Sequence, residues 1–229
     1  MRLNEHHHAI ILDTCFKTLR ELRGERGIEL FRLCARAYGE RRGRRMAMRA
    51  LRDGNPLDMT SYFAYGELLS TEGVYIGTYD AYEGFVIERQ TQCPWCTAFR
   101  TMDGHDCAVC YCREIDGAIV RGFNPDLGYE LIQNMHTAGS CEFIFKSPEI
   151  RRDFMETYSD RLDGRPAPKI EMTYHCVDVY HTFKRITSAV LTQDEQAALQ
   201  SALRARLGDE AMAELEAWPD ELFETPYDK

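Results

Sequence analysis

The segment from Cys107 to Cys141 constrains the fold of this 229-residue chain more than any other part of it. Hydrophobic residues recur at helical spacing over residues 107–121, so we expect a helix that buries one face against another layer of structure. Cys112 and Asp116 are four residues apart and therefore lie on that same apolar face. An ionised carboxylate among apolar side chains needs a partner, or its pKa rises. A thiol and an acid together on a buried face therefore indicate a functional site.

The ends of this helix follow from the residues around it. Asp106 is the expected N-cap, and Gly122 is the expected glycine just beyond the C-terminus. The same helical projection places Cys107 and Cys110 on the side away from the apolar face.

The order of the patterns predicts an α+β fold, in which an antiparallel sheet in the middle of the chain is packed by N-terminal and C-terminal helices. Helical periodicity covers residues 5–70 and 149–218, while residues 74–146 contain β-branched and aromatic strands and the single helix described above. The stretches YELIQNMH and CEFIFK are expected to pair as a hairpin. We expect one domain over residues 1–218 and a loose acidic tail at 219–229.

Composition excludes several partners. A net charge of −9 argues against nucleic acid, because phosphate binding needs a basic surface. The basic run RRGRRMAMRALR at 41–52 is interpreted as a solvated helix face. No apolar run approaches the length of a membrane span, so we expect no membrane association. The start of the chain lacks a signal-peptide pattern and the cysteines number nine, which together predict reduced thiols and a cytoplasmic location. The sequence leaves open whether the protein forms a homo-oligomer.

Two CxxC pairs raise the question of a metal. Cys93 and Cys96 form the first pair, and Cys107 and Cys110 form the second, ten residues later. Four thiolates can hold a structural zinc ion, but this separation is shorter than the usual one, and one pair closes a strand while the other begins a helix. We therefore expect no cofactor and reduced structural cysteines here, with zinc as the alternative.

Cys112, Asp116 and Cys141, with His136, form the main candidate constellation. The carboxylate could orient a cationic substrate or a histidine that activates the thiol. Two other interpretations stay open from the residues alone: a satisfied pair in the core, and a mixed metal site to which Glu130 would contribute.

A second candidate is His175, which begins a later helical pattern with Asp178 and His181 at successive i, i+3 positions. These three residues could form a solvated polar side of the helix. Alternatively, the helix could direct His175 into the cleft beside the sheet, where its imidazole could act as an acid or base.

The segment YCREIDGAIVRGFNPDLGYELIQNMHTAGSCEFIFK resembles the L-2-amino-thiazoline-4-carboxylic acid hydrolase family. The shared pattern is Tyr-Cys at 111–112, Asp116, Gly-Phe-Asn-Pro at 122–125 and Cys-Glu-Phe at 141–143. The likeness extends over residues 5–190 through ARAYGERRGRRMAMRALRDGNPLDMTSYFAYGE and TYHCVDVYHTF. The glycine-turn-cysteine ending is also similar, more distantly, to 4-vinyl-reductase-like small-molecule-binding domains, some of which hold zinc, although Gln133 stands where such a site needs another cysteine.

The resemblance implies a hydrolase that opens a small cyclic isothiourea, such as 2-amino-thiazoline-4-carboxylate, to a carbamoyl cysteine. The implied catalytic residues are Cys112 or Cys141 as nucleophile, Asp116 against the cationic ring, and His175, then His136, as acid or base. The predicted substrate contacts are Asn124, His136 and Glu130. The alternative function is a small-molecule-binding module with a cysteine-rich zinc site.

Overall fold

A computed structural model describes residues 1–68, 76–158 and 170–225. The helices are α1 (Glu5–Arg23), α2 (Glu25–Arg52), α3 (Met59–Ala64), α4 (Pro94–Thr101), α5 (His105–Phe123), α6 (Phe154–Thr157), α7 (Met172–Val190), α8 (Gln193–Leu207) and α9 (Asp209–Glu216). The strands are β1 (Ile76–Tyr82), β2 (Phe85–Gln92), β3 (Gly128–Gln133) and β4 (Cys141–Lys146). A short 3-10 helix, Asp220–Phe223, follows α9.

The four strands form one antiparallel sheet in the order β1-β2-β4-β3. Helices precede and follow this sheet along the chain, so the predicted α+β fold is confirmed. The expected hairpin is present as β3 and β4, joined by residues 134–140. Side chains alternate between the two faces of a strand, and Val86, Glu88 and Gln90 of β2 therefore share the inner face that the helices cover.

Helices α2 and α5 pack so closely that no side chain fits at several contact positions, among them Gly43 and Gly122. A Cβ on Gly43 of α2 would overlap the carbonyl oxygen of Ile119, and a Cβ on Gly122 of α5 would overlap the backbone of Glu40. Gly122 lies inside the helix, which continues to Phe123, so its prediction as the residue beyond the C-terminus is wrong. A glycine is required at position 122 because the backbone of α2 lies against it, and not because the residue caps a helix.

The N-terminal end of α5 also differs from the prediction. The N-cap is Gly104, while Asp106 lies in the first turn and forms an ion pair with Arg20 of α1 at 2.9 Å. Cys107 and Cys110 were expected away from the buried face, yet both are buried. The reason is that α5 is covered on two sides, by the sheet and by the helices α1 and α2, so a second face of it is also in the core.

Four of the six arginines in the basic run of α2 are buried, which overturns the interpretation of the run as a solvated face; Arg44 and Arg52 are exposed. Arg41, Arg42, Arg45 and Arg49 are between 0% and 9% exposed. Their spacing places them toward Glu67, α7 and the chain's C-terminal segment, where carboxylates pair with them. These guanidinium groups are therefore unavailable to a nucleic acid.

The C-terminal segment is also less loose than expected. Arg41 donates hydrogen bonds to the carbonyl oxygens of Asp220 and Phe223, and the Phe223 side chain is fully buried. The last residues of the expected acidic tail, 226–229, lie outside the described part of the chain. Within the described part, no helix has both the length and the apolar character needed to cross a membrane.

Candidate functional site

A cavity of about 450 Å³ lies between the inner face of the sheet and helices α2, α3 and α5. Its volume is typical of sites for small molecules, and apolar and aromatic side chains form most of its wall. The aromatic lining residues are Tyr62, Phe63, Tyr79, Trp95, Tyr111, Phe143 and Phe145. Polar groups in such a wall are few, so their positions decide which ligand can bind.

Asp116 of α5 and Glu88 of β2 both border the cavity. The Glu88 carboxylate accepts hydrogen bonds from the Tyr79 hydroxyl at 3.0 Å and from Gln90 Nε2 at 2.5 Å, and burial raises its pKa. Burial also raises the pKa of Asp116, to about 7, with a further contribution from the charge of Glu88. Two carboxyl groups that repel each other in an apolar wall are stabilised by a bound cation.

Cys112 lies one turn before Asp116 on α5 and also borders the cavity. Its Sγ is 3.5 Å from Nε2 of His136, a residue of the β3–β4 loop whose backbone N–H donates to Asn134 Oδ1. Nδ1 of the same ring is 3.9 Å from Cys96 Sγ. Cys112 of the cavity wall therefore contacts an imidazole that is not itself among the lining residues and borders a separate depression beside Phe99 and His105. A thiol in contact with an imidazole is the geometry of a nucleophile and its base.

The resting protonation state of this pair follows from its burial. Burial raises the pKa of Cys112 well above its ordinary value and lowers the pKa of His136 to about 4. At neutral pH the pair is therefore an uncharged thiol beside an uncharged imidazole. Such a pair reacts when the imidazole accepts the thiol proton as the sulfur attacks, and a cation near the sulfur favours that step.

Cys141 begins β4 and, like Cys93 and Cys112, borders the cavity. Its Sγ accepts a hydrogen bond from the backbone N–H of Met135 at 3.3 Å. Burial raises the pKa of Cys141 to about 11. Unlike Cys112, Cys141 has no imidazole within hydrogen-bond distance among the described residues, so Cys141 is less activated than Cys112.

Besides His136, which reaches the site only through its contact with Cys112, three predicted site residues lie away from the cavity. His175 is fully buried in α7, where burial lowers its pKa well below the ordinary value, so it occupies neither a solvated side of the helix nor the cleft beside the sheet. Asn124 donates to the carbonyl oxygen of Leu57 at 2.7 Å and thereby holds a loop. Glu130 is exposed and forms an ion pair with Lys146 at 2.8 Å. This geometry gives none of the three a contact with a ligand in the cavity.

The four cysteines of the two CxxC pairs do not converge. Cys93 borders the cavity and Cys96 contacts His136, whereas Cys107 lies near Asp13 of α1 and Cys110 near Arg32 of α2. In residues 1–68, 76–158 and 170–225, no group of three or more His, Cys, Asp or Glu side chains is arranged to hold a metal ion. The donor set for the zinc alternative is therefore not assembled there.

Three charged residues of the cavity wall, Arg42, Glu67 and Glu88, are not among the residues that the sequence predicted for the site. Arg42 belongs to the basic run whose pattern predicts a solvated helix face. Glu88 had a usable signal, because in VIERQ it alternates with residues of the opposite face and so falls on the same strand face as Val86. An acidic residue on the covered face of a strand indicates a functional site in the same way as Asp116 on the covered face of α5.

Comparison with known proteins gives one match. A family model described as L-2-amino-thiazoline-4-carboxylic acid hydrolase matches residues 4–145. This range spans more than half of the chain and contains every residue found at the cavity wall. Helix α7, which carries TYHCVDVYHTF, lies beyond the matched range. No curated protein and no solved structure matched the chain.

Proposed function

Because the chain belongs to the L-2-amino-thiazoline-4-carboxylic acid hydrolase family, we propose that it hydrolyses a small cyclic isothiourea or amidine such as 2-amino-thiazoline-4-carboxylate. One arrangement supports the proposal beyond the family match: Cys112 and Asp116 lie one helical turn apart in the wall of an aromatic cavity, and Cys112 contacts His136 beside that wall. The sulfur, base and carboxylate are the three groups that attack on a cationic carbon requires.

Asp116 binds the protonated ring in this proposal. The C2 carbon of an aminothiazoline carries one sulfur and two nitrogens, and its protonated form is a delocalised cation. That cation pairs with the Asp116 carboxylate, with Glu88 adding negative potential from β2. Binding the cation lowers the pKa of Asp116 back toward its ordinary value, because an opposite charge favours the ionised form.

Cys112 then attacks C2 while His136 accepts the thiol proton. Cleavage of the bond between C2 and the ring sulfur follows, and that sulfur takes the proton from His136. The intermediate is an isothiouronium group on Cys112 that retains every atom of the substrate. Water then adds to the same carbon, the Cys112 thiol leaves, and the product is N-carbamoyl cysteine. The alternative route has water attack C2 directly, with His136 or Asp116 as base.

The test is turnover of 2-amino-thiazoline-4-carboxylate by the reduced, folded protein, followed by mass spectrometry. Cleavage of the ring C–S bond yields N-carbamoyl cysteine with a free thiol, whereas cleavage of the ring C–N bond yields its S-carbamoyl isomer. A thiol reagent therefore distinguishes products of equal mass. If neither product appears, the proposal is overturned.

Three variants separate the two routes. We expect Cys112→Ser to lose turnover and His136→Gln to lower kcat by about 10²- to 10⁴-fold. The matched control is Cys110→Ser, on the same helix but in contact with Arg32 outside the cavity, and it should retain activity. Acid-quenched wild-type enzyme should gain the full mass of the substrate. Full turnover by Cys112→Ser would exclude the covalent route and leave direct attack by water.

A further inference from the structure

We infer that Arg42 binds the carboxylate of the substrate, so that the cavity selects an amino-acid-like zwitterion over an uncharged or purely cationic heterocycle. The inference rests on the proposed function, because it assigns a second subsite in the same cavity. It depends on three observations: the free edge of the Arg42 guanidinium, the charges around Glu67, and the acids elsewhere in the cavity wall.

Arg42 lies on α2 and borders the cavity although it is only 9% exposed. Its Nε donates to Glu67 Oε1 at 3.3 Å, and its guanidinium carbon lies 5.6 Å from the ring centre of Tyr38. Within the described part of the chain, no residue accepts a hydrogen bond from its two terminal nitrogens. Guanidinium binds carboxylate in a bidentate manner, and this edge is available for that purpose.

The charges around Arg42 leave a positive excess. The buried carboxylate of Glu67 contacts three guanidinium groups, those of Arg42, Arg45 and Arg49, at 3.3, 2.9 and 3.0 Å. Arg45 has a second carboxylate partner, Asp178, at 2.7 Å, whereas Arg42 and Arg49 share Glu67 as their ion-pair partner among the described residues. A buried guanidinium that shares its one carboxylate partner with two other cations is stabilised by a further anion.

The cavity wall is therefore dipolar. On one side Arg42 supplies a cation from α2 beside Glu67, a lining carboxylate that already pairs with three guanidinium groups. On the other side Asp116 and Glu88 supply acids from α5 and β2. The groups act on one another, since the charge of Arg42 lowers the pKa of Asp116 against the larger effects of burial and Glu88. A ligand with a cationic ring and an anionic carboxylate, a few bonds apart, satisfies both ends at once. A heterocycle without the carboxylate leaves Arg42 unpaired.

The test compares two substrates that differ only in this group, 2-amino-thiazoline-4-carboxylate and 2-amino-2-thiazoline. We expect the wild type to prefer the carboxylate by about 10- to 100-fold in kcat/KM, the value of one charged hydrogen-bonding pair. Arg42→Gln should remove that preference through a higher KM for the carboxylate and leave the decarboxylated substrate nearly unaffected. Arg42→Lys should recover part of the preference, because lysine keeps the positive charge but cannot form the two parallel hydrogen bonds of a guanidinium.

The matched control is Arg36→Gln, on the same helix, where the side chain pairs with Glu114 outside the cavity. It should keep the wild-type preference. An Arg42→Gln variant that lowers kcat/KM equally for both substrates, or a wild type with no preference, would overturn the inference. The two-substrate comparison on the wild type needs no substitution, so it stands even if Arg42→Gln fails to fold.

Calorimetric binding of both compounds distinguishes this inference from the proposed function. Turnover without an Arg42-dependent preference refutes the carboxylate subsite and leaves the hydrolase proposal. Arg42-dependent binding of the carboxylate without turnover refutes the hydrolase and supports the subsite. Absence of both binding and turnover refutes both.

Discussion

Replacing Asp116 by asparagine should make the protein more stable above neutral pH, although the change removes a residue of the proposed active site. The pKa of this carboxyl is raised from 3.8 to about 7, chiefly by burial. Between those values the folded state holds a proton that the unfolded state has released. Stability therefore falls as pH rises through this window, and the ionised carboxylate in the folded cavity wall is the cause.

The magnitude follows from the same values. A pKa difference of about three pH units corresponds to about 4 kcal/mol of unfolding free energy lost between pH 4 and pH 7. The side chain of Asp116 keeps some solvent contact, so screening reduces the expected loss to about 2–4 kcal/mol. Asparagine has nearly the same shape and no charge. The variant should therefore match the wild type near pH 4 and exceed its stability by about 2–4 kcal/mol at pH 8.

Urea unfolding at pH 4, 6 and 8, compared between variant and wild type, measures this difference while the contributions of other titrating groups cancel. Glu130→Gln is the control, because it removes an exposed carboxylate outside the cavity and should leave the pH dependence nearly unchanged. A variant that loses stability equally at every pH would show that Asp116 is a satisfied structural partner. Gain of stability together with loss of turnover would instead be the signature of a functional residue.

Three further outcomes are expected. Glu67→Gln should lower the unfolding free energy by about 3–5 kcal/mol in urea titrations, because it leaves three buried guanidinium groups without their shared carboxylate; an unchanged value would contradict the network. Gly43→Ala should cost about 1–3 kcal/mol in the same assay, since its methyl group meets the backbone of α5, and a neutral effect would refute close helix contact. The kcat/KM for a cationic substrate should rise with pH through about 7 as Asp116 ionises, and a profile flat across that range would exclude a carboxylate role.

The local pattern of hydrophobic residues was sufficient to predict the order of helices and strands along the chain. Helical periodicity over residues 5–52 and 172–190 and strand patterns in mid-chain predicted the α+β fold, since amphipathic spacing reports which face of an element is covered. The same spacing placed Cys112 and Asp116 together, because residues four apart on one helix are neighbours whatever the helix packs against. Those two residues do border the cavity.

The failures have a common physical origin. Helical spacing could not show that α5 is covered on two sides, so Cys110 was placed on the wrong surface. The arginines of α2 have the sequence pattern of a solvated face, and only the position of Glu67 and α7 turns them into a buried ion network. Charge in a sequence predicts exposure unless a partner of opposite charge is brought to it, and that partner is distant in the chain.

The choice of histidine illustrates the same division. The sequence by itself determined that a thiol and a carboxyl share a buried helical face, because both belong to one helix. It could not decide whether His136 or His175 accompanies them, since each belongs to a separate element whose approach depends on packing. Only the tertiary structure brings the β3–β4 loop to Cys112, and only the tertiary structure buries His175 of α7 in the protein interior. Contacts within an element follow from backbone geometry, whereas contacts between elements follow from how their surfaces fit together.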